Sequence, residues 1–301
     1  MRIGYPCINY TIERKGTSTF RLKSYSPQRL IETVEFNLVY LRQMLEYNLA
    51  HKIYFFRISS GLVPFASHPV CRFDWQGHFA ESFAAIGKFI KKHKMRINMH
   101  PDQFVLINSI NEDVLTRSVA ELEYHAQVLD LLGLGAAAAK IQLHVGGVYG
   151  SREESMARFV KRYEKLNDAV RKRLVIENDH VNYGLADCME VHRMCGAVIL
   201  FDVFHHSVLS RGETVEECFK EFTGTWKKAD GEPMVDYSSQ KSGARAGTHT
   251  ESIDIKNFKR FLDETRRWDF DIMLEIKDKE ASAAKAIKAA KGDKRFFVES
   301  L

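Results

Sequence analysis

Histidine and carboxylate residues follow one short apolar segment after another in this sequence. The segments read MHPDQF, LHVGG, VIEND, FDVFHH and MLEIKDK, and their polar residues are His100, His144, Glu177, Asp202, His205 and Glu275. Three further candidates lie in or after other apolar segments with a less distinct pattern, and they are Asp236, His249 and His68. Imidazole and carboxylate ligands without cysteine suit Zn²⁺, Mn²⁺ or Fe²⁺. If these side chains converge, the sequence predicts a site for two or three divalent ions.

A carboxylate can join two such ions, because it has two oxygens to share. Glu177 and Asp202 are the candidates for this bridging role. Clustered divalent ions normally activate water and stabilise both oxygens of an in-line displacement at phosphorus. The residues therefore predict hydrolysis of a phosphate ester, with Glu177 and Asp202 essential to catalysis and His68 as a candidate proton relay.

Eight short apolar segments alternate with eight longer amphipathic ones, which predicts parallel strands joined by right-handed helical crossovers. The strand candidates are residues 2–8, 53–59, 96–99, 140–145, 174–177, 198–203, 234–237 and 271–276. The helix candidates are approximately residues 27–49, 79–93, 113–132, 153–170, 185–194, 214–222, 255–265 and 282–291. This α/β order indicates a single-domain (β/α)8 barrel, a TIM barrel, over residues 1–301. A doubly wound open sheet is the structural alternative.

The carboxyl ends of all strands in such a barrel surround one axis, and active sites lie at that face. We therefore expect the metal cluster at the C-terminal face. Two polar loops, residues 10–25 and 238–252, follow the first and seventh strands and would lie at the same face. Their basic residues, which could contact phosphate groups, include Arg14, Lys15, Lys241 and Arg245.

Gln103 and Phe104 directly follow the candidate ligand His100. If this pair is exposed, the Phe104 ring could replace the base stacking that is lost in an opened duplex. The Gln103 amide could then form a hydrogen bond with a base edge. The alternative is that Phe104 covers the top of the core. Tyr5 and Asn9 follow the first strand and are further candidates at this face.

The composition is that of a globular protein with a weak basic excess. Lysine and arginine number 44 against 39 aspartate and glutamate, a formal net charge of +5. This excess permits a nucleic-acid or phosphate partner without requiring one. The five cysteines form no C-x-x-C pair, which argues against a disulfide framework and a thiolate zinc site. Because neither a signal peptide nor an apolar run of bilayer length is evident, we expect a soluble cytoplasmic protein.

Taken together, several blocks of the sequence resemble the UV damage endonucleases. They read RIGYPCIN, RISSGLVPFASHP, MHPDQF, LHVGG, VIEND, FDVFHH, DYSSQ, GTHTESID and LEIKDKE, from Arg2 to about Glu280. The resemblance implies a TIM barrel related to endonuclease IV, with clustered divalent ions. Manganese is the ion usually named, and Zn²⁺, Mg²⁺ and Co²⁺ are alternatives. It also implies nicking of double-stranded DNA on the 5′ side of cyclobutane pyrimidine dimers and 6-4 photoproducts, and at abasic sites.

Carried over position by position, the resemblance implies metal ligation by His100, His144, Glu177, Asp202, His205, His249 and Glu275. Asp236 stands where relatives can have histidine, and either residue type can ligate a metal. Met234 lies where some relatives have a lysine that can be carboxylated, a modification that methionine cannot carry.

The resemblance also implies contacts with the damaged strand. His68 matches a family histidine close to the metals, and Tyr5 and Asn9 match positions near the lesion. Gln103 and Phe104 match a Gln-Tyr pair that enters the duplex at the lesion, with the tyrosine hydroxyl absent here.

These features favour a monomer that acts on DNA containing UV lesions, in the cytoplasm at the nucleoid of a prokaryote and without an obligate protein partner. A metal-dependent sugar isomerase or epimerase is the main alternative, because such enzymes also place histidines and carboxylates around a metal at barrel strand ends. Two further rivals are an abasic-site endonuclease without photoproduct preference and a non-catalytic DNA-binding barrel.

Overall fold

A computed structural model describes residues 1–13 and 16–299 of the chain. Its eight parallel strands pair in chain order and form a closed barrel, since β1 pairs with both β2 and β8. The strands are β1 Ile3–Pro6, β2 Phe55–Ile58, β3 Arg96–Met99, β4 Ala139–His144, β5 Leu174–Glu177, β6 Val198–Asp202, β7 Met234–Tyr237 and β8 Asp271–Leu274. The prediction of a TIM barrel is therefore confirmed, and closure excludes the open sheet.

Helices connect the strands and cover the outside of the barrel. They are α1 Pro27–Ala50, α2 Trp75–Lys92, α3 Glu112–Leu131, α4 Arg152–Tyr163, α5 Asp168–Arg171, α6 Leu185–Cys195, α7 Val203–Val208, α8 Val215–Phe222, α9 Ile255–Glu264 and α10 Glu280–Ala289. Among the residues described, no helix combines the length and the apolar character needed to cross a membrane.

Side-chain caps determine where several helices begin. Ser26 accepts a hydrogen bond from the Arg29 amide, and Pro27 occupies the first position of α1. Asp74 caps α2 through the Gly77 amide, so this helix begins four residues before the predicted start at residue 79. The predicted helix 153–170 is in fact α4 and α5, because Asn167 caps a new helix through the Val170 amide at 2.9 Å.

The barrel interior is filled by alternate residues of the strands, since successive side chains of a strand point to opposite faces. A buried cluster in this interior consists of Phe55, Val175, Leu200, Met234 and Met273. Gly4 leaves room for this packing, because a Cβ atom there would lie 1.8 Å from the Phe55 carbonyl oxygen. Met234 is thus an apolar packing residue beneath the C-terminal face.

The strand register brings the predicted ligands to one level. His144 is the pairing partner of Glu177 across β4 and β5, and Asp202 is the partner of Asp236 across β6 and β7. All four residues end or nearly end their strands. The C-terminal face therefore carries a ring of histidines and carboxylates.

Candidate metal centre

Glu177 lies at the centre of the polar cluster and is almost fully buried. Its Oε2 atom is 3.3 Å from His100 Nε2 and 3.5 Å from His144 Nε2. Its Oε1 atom is 3.2 Å from His205 Nδ1. Gln142, on the neighbouring strand, donates to Oε2 at 2.5 Å and fixes the carboxylate from below. One carboxylate thus faces three imidazoles, which come from the ends of β3 and β4 and from α7.

Three groups of side chains have ligand atoms close enough to hold an ion. Within each group the atoms lie within 4.8 Å of one another, and the groups are His100–His144–Glu177, Glu177–Asp202–His205 and Asp202–Asp236–Glu275. Glu177 and Asp202 each belong to two groups. A shared carboxylate is what neighbouring ions require, so the arrangement fits a multinuclear site.

Two buried carboxylate oxygens of this cluster have no hydrogen-bond donor among the residues that the structure describes. They are Asp202 Oδ2 and Asp236 Oδ1. A buried polar atom without a partner costs roughly 1–3 kcal/mol, and a cation would remove this cost. The donor set and these two oxygens together fit divalent metal ions.

Burial and close charges shift the acid–base properties of the cluster. Burial raises the pKa of Asp202 to about 8, although His205 opposes the shift. Burial alone would lower the pKa of His205, but Asp202 and Glu177 raise it to about 11. Burial also disfavours ionised Glu177, yet His144, His100 and His205 hold its pKa well below the usual range. The metal-free cluster therefore carries protons in the place of cations.

Backbone carbonyl groups orient the imidazoles. His249 Nδ1 lies 2.7 Å from the Glu275 carbonyl oxygen, which leaves Nε2, at 3.8 Å from Glu275 Oε2, to face the cluster. Such a bond selects the tautomer in which Nε2 can ligate a metal. Asn178 accepts from the Asp202 amide and donates to its carbonyl, both at 2.9 Å, and so holds the end of β6.

Arg57 neutralises the carboxylates opposite Glu177. Its buried guanidinium donates to Asp236 Oδ2 at 2.7 Å and to Glu275 Oε1. Gln142 also donates to Asp236 Oδ2, at 2.6 Å. Burial favours the neutral form of Glu275, but Arg57 outweighs it and lowers the pKa of this carboxyl.

The cluster lies under two adjoining cavities of about 470 and 460 Å³. His100, His144 and Glu275 line both cavities. A larger cavity, of about 600 Å³, is lined by His68 and Phe104 and by no residue of the three metal-binding groups.

Comparisons with known proteins agree with this geometry. The protein family described as UV-endonuclease UvdE matches residues 1–292. The UV DNA damage endonuclease of Clostridium perfringens is 37% identical over 293 residues, which cover 97% of this chain and 71% of that protein. The chain belongs to the UV-endonuclease UvdE family.

Solved structures extend the comparison. The crystal structure of SacUVDE superposes on this UvdE-family chain with a TM-score of 0.92, at 42% identity, and covers 97% of this chain and 98% of the other. Endonuclease IV from Thermus thermophilus shares the fold, with a TM-score of 0.60 and 17% identity over 83% of this chain and 93% of the other.

The structure brings most of the predicted ligands of this UvdE-family protein together. His249 lies at the edge of the cluster, next to Glu275 but in none of the three-residue groups among the described residues. The expectation that His205 lies at a strand end is wrong. This histidine lies in α7, which begins because Asp202 Oδ1 accepts from the His205 amide at 2.7 Å.

His68 is separated from the predicted ligands. It is exposed, and its Nδ1 accepts from the Val70 amide at 3.1 Å. It lines the larger cavity beside Phe104 and lies in no metal-binding group among the described residues. Its predicted role as a proton relay at the cluster therefore has no support from the geometry of the free protein.

Tyr5 and Asn9 are completely buried, which argues against direct contact with DNA. Tyr5 points away from the barrel interior and donates to Asn48 of α1 at 2.7 Å, and Asn9 donates to the Tyr5 hydroxyl at 2.8 Å. Asn9 also accepts from the amides of Thr11 and Ile12. These residues hold the loop after β1.

The other predicted DNA contacts lie on the surface. Gln103 and Phe104 are exposed, and Phe104, at 73%, is the most exposed large apolar side chain among the described residues. Arg245 is exposed, while Lys241 forms an ion pair with Glu251 at 2.6 Å. Arg14 and Lys15 lie outside the described residues.

Sequence reasoning missed the roles of Arg57 and His180. A charged residue in a buried strand needs a buried partner, so the FFRI segment of β2 was the available signal for Arg57. His180 lines a cavity of the cluster, with its ring centroid 4.9 Å from that of His205. Its Nδ1 atom is buried without a partner among the described residues, but its sequence position after β5 carried no distinct signal.

Metal binding at pH 7 is expected to release about one proton or more, because ligands must be deprotonated. Asp202, with a pKa of about 8, and His205, with a pKa of about 11, carry protons at pH 7 in the metal-free protein. The affinity for Mn²⁺ should therefore increase as the pH rises through about 8. Calorimetric titration in two buffers of different ionisation enthalpy measures the number of protons. Binding without proton release would contradict this description of the cluster.

Proposed function

We propose that this protein nicks double-stranded DNA on the 5′ side of cyclobutane pyrimidine dimers and 6-4 photoproducts, and also acts at abasic sites. The observation that carries this proposal is the cluster around Glu177, whose cavities have Gln103 in their lining and the exposed Phe104 next to it. Membership of the UvdE family and the name of the C. perfringens relative support the same substrate.

The proposed metal ligands are His100, His144, Glu177, Asp202, His205, Asp236, His249 and Glu275. We propose two or three ions, with Mn²⁺ as the resident metal. Bound divalent ions supply a water of lowered pKa and neutralise charge on a phosphate ester. Asp236 would ligate through Oδ1, because Oδ2 is already hydrogen-bonded to Arg57 and Gln142.

The protein residues position the phosphate and keep the cluster rigid. Gln142 and Arg57 hold the carboxylates from below, so these groups need little rearrangement when substrate binds. His144 and His249 present their rings at the cavity wall, where the cleaved phosphodiester would lie. The closed barrel excludes water from beneath the cluster, since Glu177, Asp202 and Asp236 are almost fully buried.

Lesion recognition is assigned to Gln103 and Phe104. A photoproduct weakens stacking and pairing, so opening the duplex there costs less than opening undamaged DNA. The exposed Phe104 ring can occupy the place of the displaced bases, with Gln103 on the side of the metal cavities. Arg245 would follow the DNA backbone, and Lys241 could do so only after leaving Glu251.

Replacing both Gln103 and Phe104 by alanine is expected to weaken binding to lesion-containing DNA by about ten- to a hundredfold, because a stacking contact contributes about 1–3 kcal/mol. Binding to undamaged DNA should change little. Fluorescence anisotropy with matched duplexes in EDTA measures both affinities. Exposed Ile110, replaced by alanine, provides a control for loss of a surface apolar group. Equal weakening on both duplexes would remove the recognition role.

The decisive experiment for the function is plasmid nicking. Purified protein with Mn²⁺ is incubated with UV-irradiated and unirradiated supercoiled DNA, with and without EDTA. Nicking of irradiated DNA alone, abolished by EDTA, is the expected result. Primer extension from the nicked strand then locates the cut, which should lie 5′ to the photoproduct.

Different outcomes would identify the rival functions. Nicking only at abasic sites would indicate an abasic endonuclease, and metal-supported lesion binding without cutting would indicate a DNA-binding barrel. Metal-dependent turnover of a sugar without nicking would support an isomerase or epimerase. We further propose that the protein acts as a monomer on DNA at the bacterial nucleoid, since a duplex needs open access to the C-terminal face.

A further inference from the structure

Lys279 lies at the C-terminal face between β8 and α10. Its side chain lines the same cavity as His100, His249 and Glu275. It belongs to none of the three metal-binding groups, and it has no role in the proposed cleavage reaction. An ammonium group thus lies in the cavity wall beside the proposed metal ligands and Arg57.

The Lys279 ammonium has no hydrogen bond or ion pair within the described parts of the chain. Nearby lysines differ in this respect, because Lys241 and Lys277 pair with Glu251 at 2.6 and 3.0 Å. Glu275 pairs with Arg57 and faces His249, and it forms no ion pair with Lys279 among the described residues. The positive charge of Lys279 is therefore available to a ligand that enters the cavity.

The backbone at Lys279 is held in an unfavourable conformation, with φ 48° and ψ −113°. Cys7 lines the same cavity and also has a positive φ, of 67°. A residue in such a conformation destabilises the folded protein by on the order of 1–3 kcal/mol, and backbone strain of this kind is concentrated at functional sites. The conformation places Lys279 at the cavity wall with its ammonium unpaired.

We propose that the Lys279 ammonium binds a non-bridging oxygen of a DNA phosphate in this cavity, next to the cleaved bond. The proposal rests on the proposed function and adds a phosphate-binding residue to it. A lysine binds phosphate as a point charge, and the anionic backbone of DNA is the ligand that an unpaired ammonium beside a hydrolytic site would meet. Because Lys279 contacts substrate and no metal, its effect on binding can be measured without metal ions.

Lys279→Met is expected to reduce the slope of log affinity against log salt by about 0.9, the value for one lost phosphate contact in duplex DNA. If the variant and the unsubstituted protein bind DNA equally well near 1 M salt, this difference in slope makes the variant bind about eightfold more weakly at 0.1 M salt. The measurement is fluorescence anisotropy in EDTA, with a duplex that contains one cyclobutane dimer, over a series of KCl concentrations. Lys279→Arg should restore most of the slope, because the charge is kept.

Lys288→Met is the matched control, because Lys288 lies on α10 and is exposed. It removes the same charge from a nearby helix, outside the cavity, and should leave the slope unchanged. A second measurement uses the unsubstituted protein. Acetylation by a succinimidyl ester, read by mass spectrometry, should be blocked by DNA at Lys279 and remain unchanged at Lys288.

The two proposals fail in different ways. If the unsubstituted protein binds and nicks damaged DNA while Lys279→Met keeps the full salt slope, or if DNA leaves Lys279 fully reactive, the role of Lys279 is overturned and the proposed function stands. If the unsubstituted protein neither binds nor nicks damaged DNA, the proposed function fails and this inference fails with it.

Discussion

Asp202→Asn is expected to lower the rate of DNA nicking by about 10³-fold or more. Metal ions contribute several kcal/mol of charge stabilisation in the transition state, and about 4 kcal/mol corresponds to a 10³-fold change in rate. Asp202 belongs to two of the three metal-binding groups, so its loss disturbs more than one ion. Glu177→Gln should have a comparable effect for the same reason. Single-turnover nicking of a lesion-containing duplex with Mn²⁺ measures the rate.

The Asp202→Asn variant should still fold. Asparagine keeps an oxygen that can cap α7 through the His205 amide, as Asp202 Oδ1 does. In the absence of metal its melting temperature should equal or exceed that of the unsubstituted protein, because the variant has no buried carboxyl group at this position. Added Mn²⁺ should stabilise the unsubstituted protein more than the variant.

Asp168→Asn is a matched control, since Asp168 is exposed in the first turn of α5, far from the metal ligands in the fold. It should nick at the unsubstituted rate. Full activity of Asp202→Asn and Glu177→Gln would remove the metal-cluster assignment, whatever the outcome for the control.

Arg57→Met is expected to lower the free energy of unfolding by about 3–5 kcal/mol at pH 7, the usual result when one member of a buried ion pair is removed. Asp236 and Glu275 would keep their burial but lose the guanidinium that neutralises them. Urea unfolding of the metal-free proteins, followed by circular dichroism, measures the difference. Arg260→Met is the control, because Arg260 pairs with Glu264 on the surface of α9 and should change stability by less than about 1 kcal/mol.

The loss of unfolding free energy caused by Arg57→Met should become smaller at low pH. In the unsubstituted protein the pKa of Glu275 lies below its ordinary value of 4.5, so this group stabilises the fold above that pH and the contribution is lost as the pH falls. In the variant, buried carboxyl groups without a cation instead favour protonation. The two proteins should therefore differ most at neutral pH and least below about 4.5. An equal deficit at both pH values would show that the lost packing of the side chain, and not its charge, causes the effect.

The fold could be predicted because each strand and helix carries its own local pattern. All eight strands begin and end within two residues of the apolar segments that indicated them, and β3, β5 and β7 match those segments at both ends. Errors arose where a single polar residue reorganised the backbone. Asn167 starts α5 inside a continuous helical pattern, and Asp202 starts α7 directly after β6.

Strand periodicity could also have corrected one prediction. Gly4 and Pro6 share a face of β1, so Tyr5 must lie on the opposite face, and the structure places it against Asn48 of α1. A tyrosine next to a strand end can therefore belong to the helix-facing layer. The burial of Asn9 had no comparable signal, since it depends on hydrogen bonds made by the folded loop.

The sequence by itself determined the barrel, the face that carries the site and the residue types that meet there, because strand alternation and the polar residues at strand ends are local features. Only the tertiary structure decided which carboxylates are shared, which oxygens lack a donor and where the counter-charge lies. Glu177, Arg57 and Glu275 come from distant parts of the chain, and barrel closure brings them to their partners. Burial and distance set the charge of such groups, and both exist only after the strands have closed.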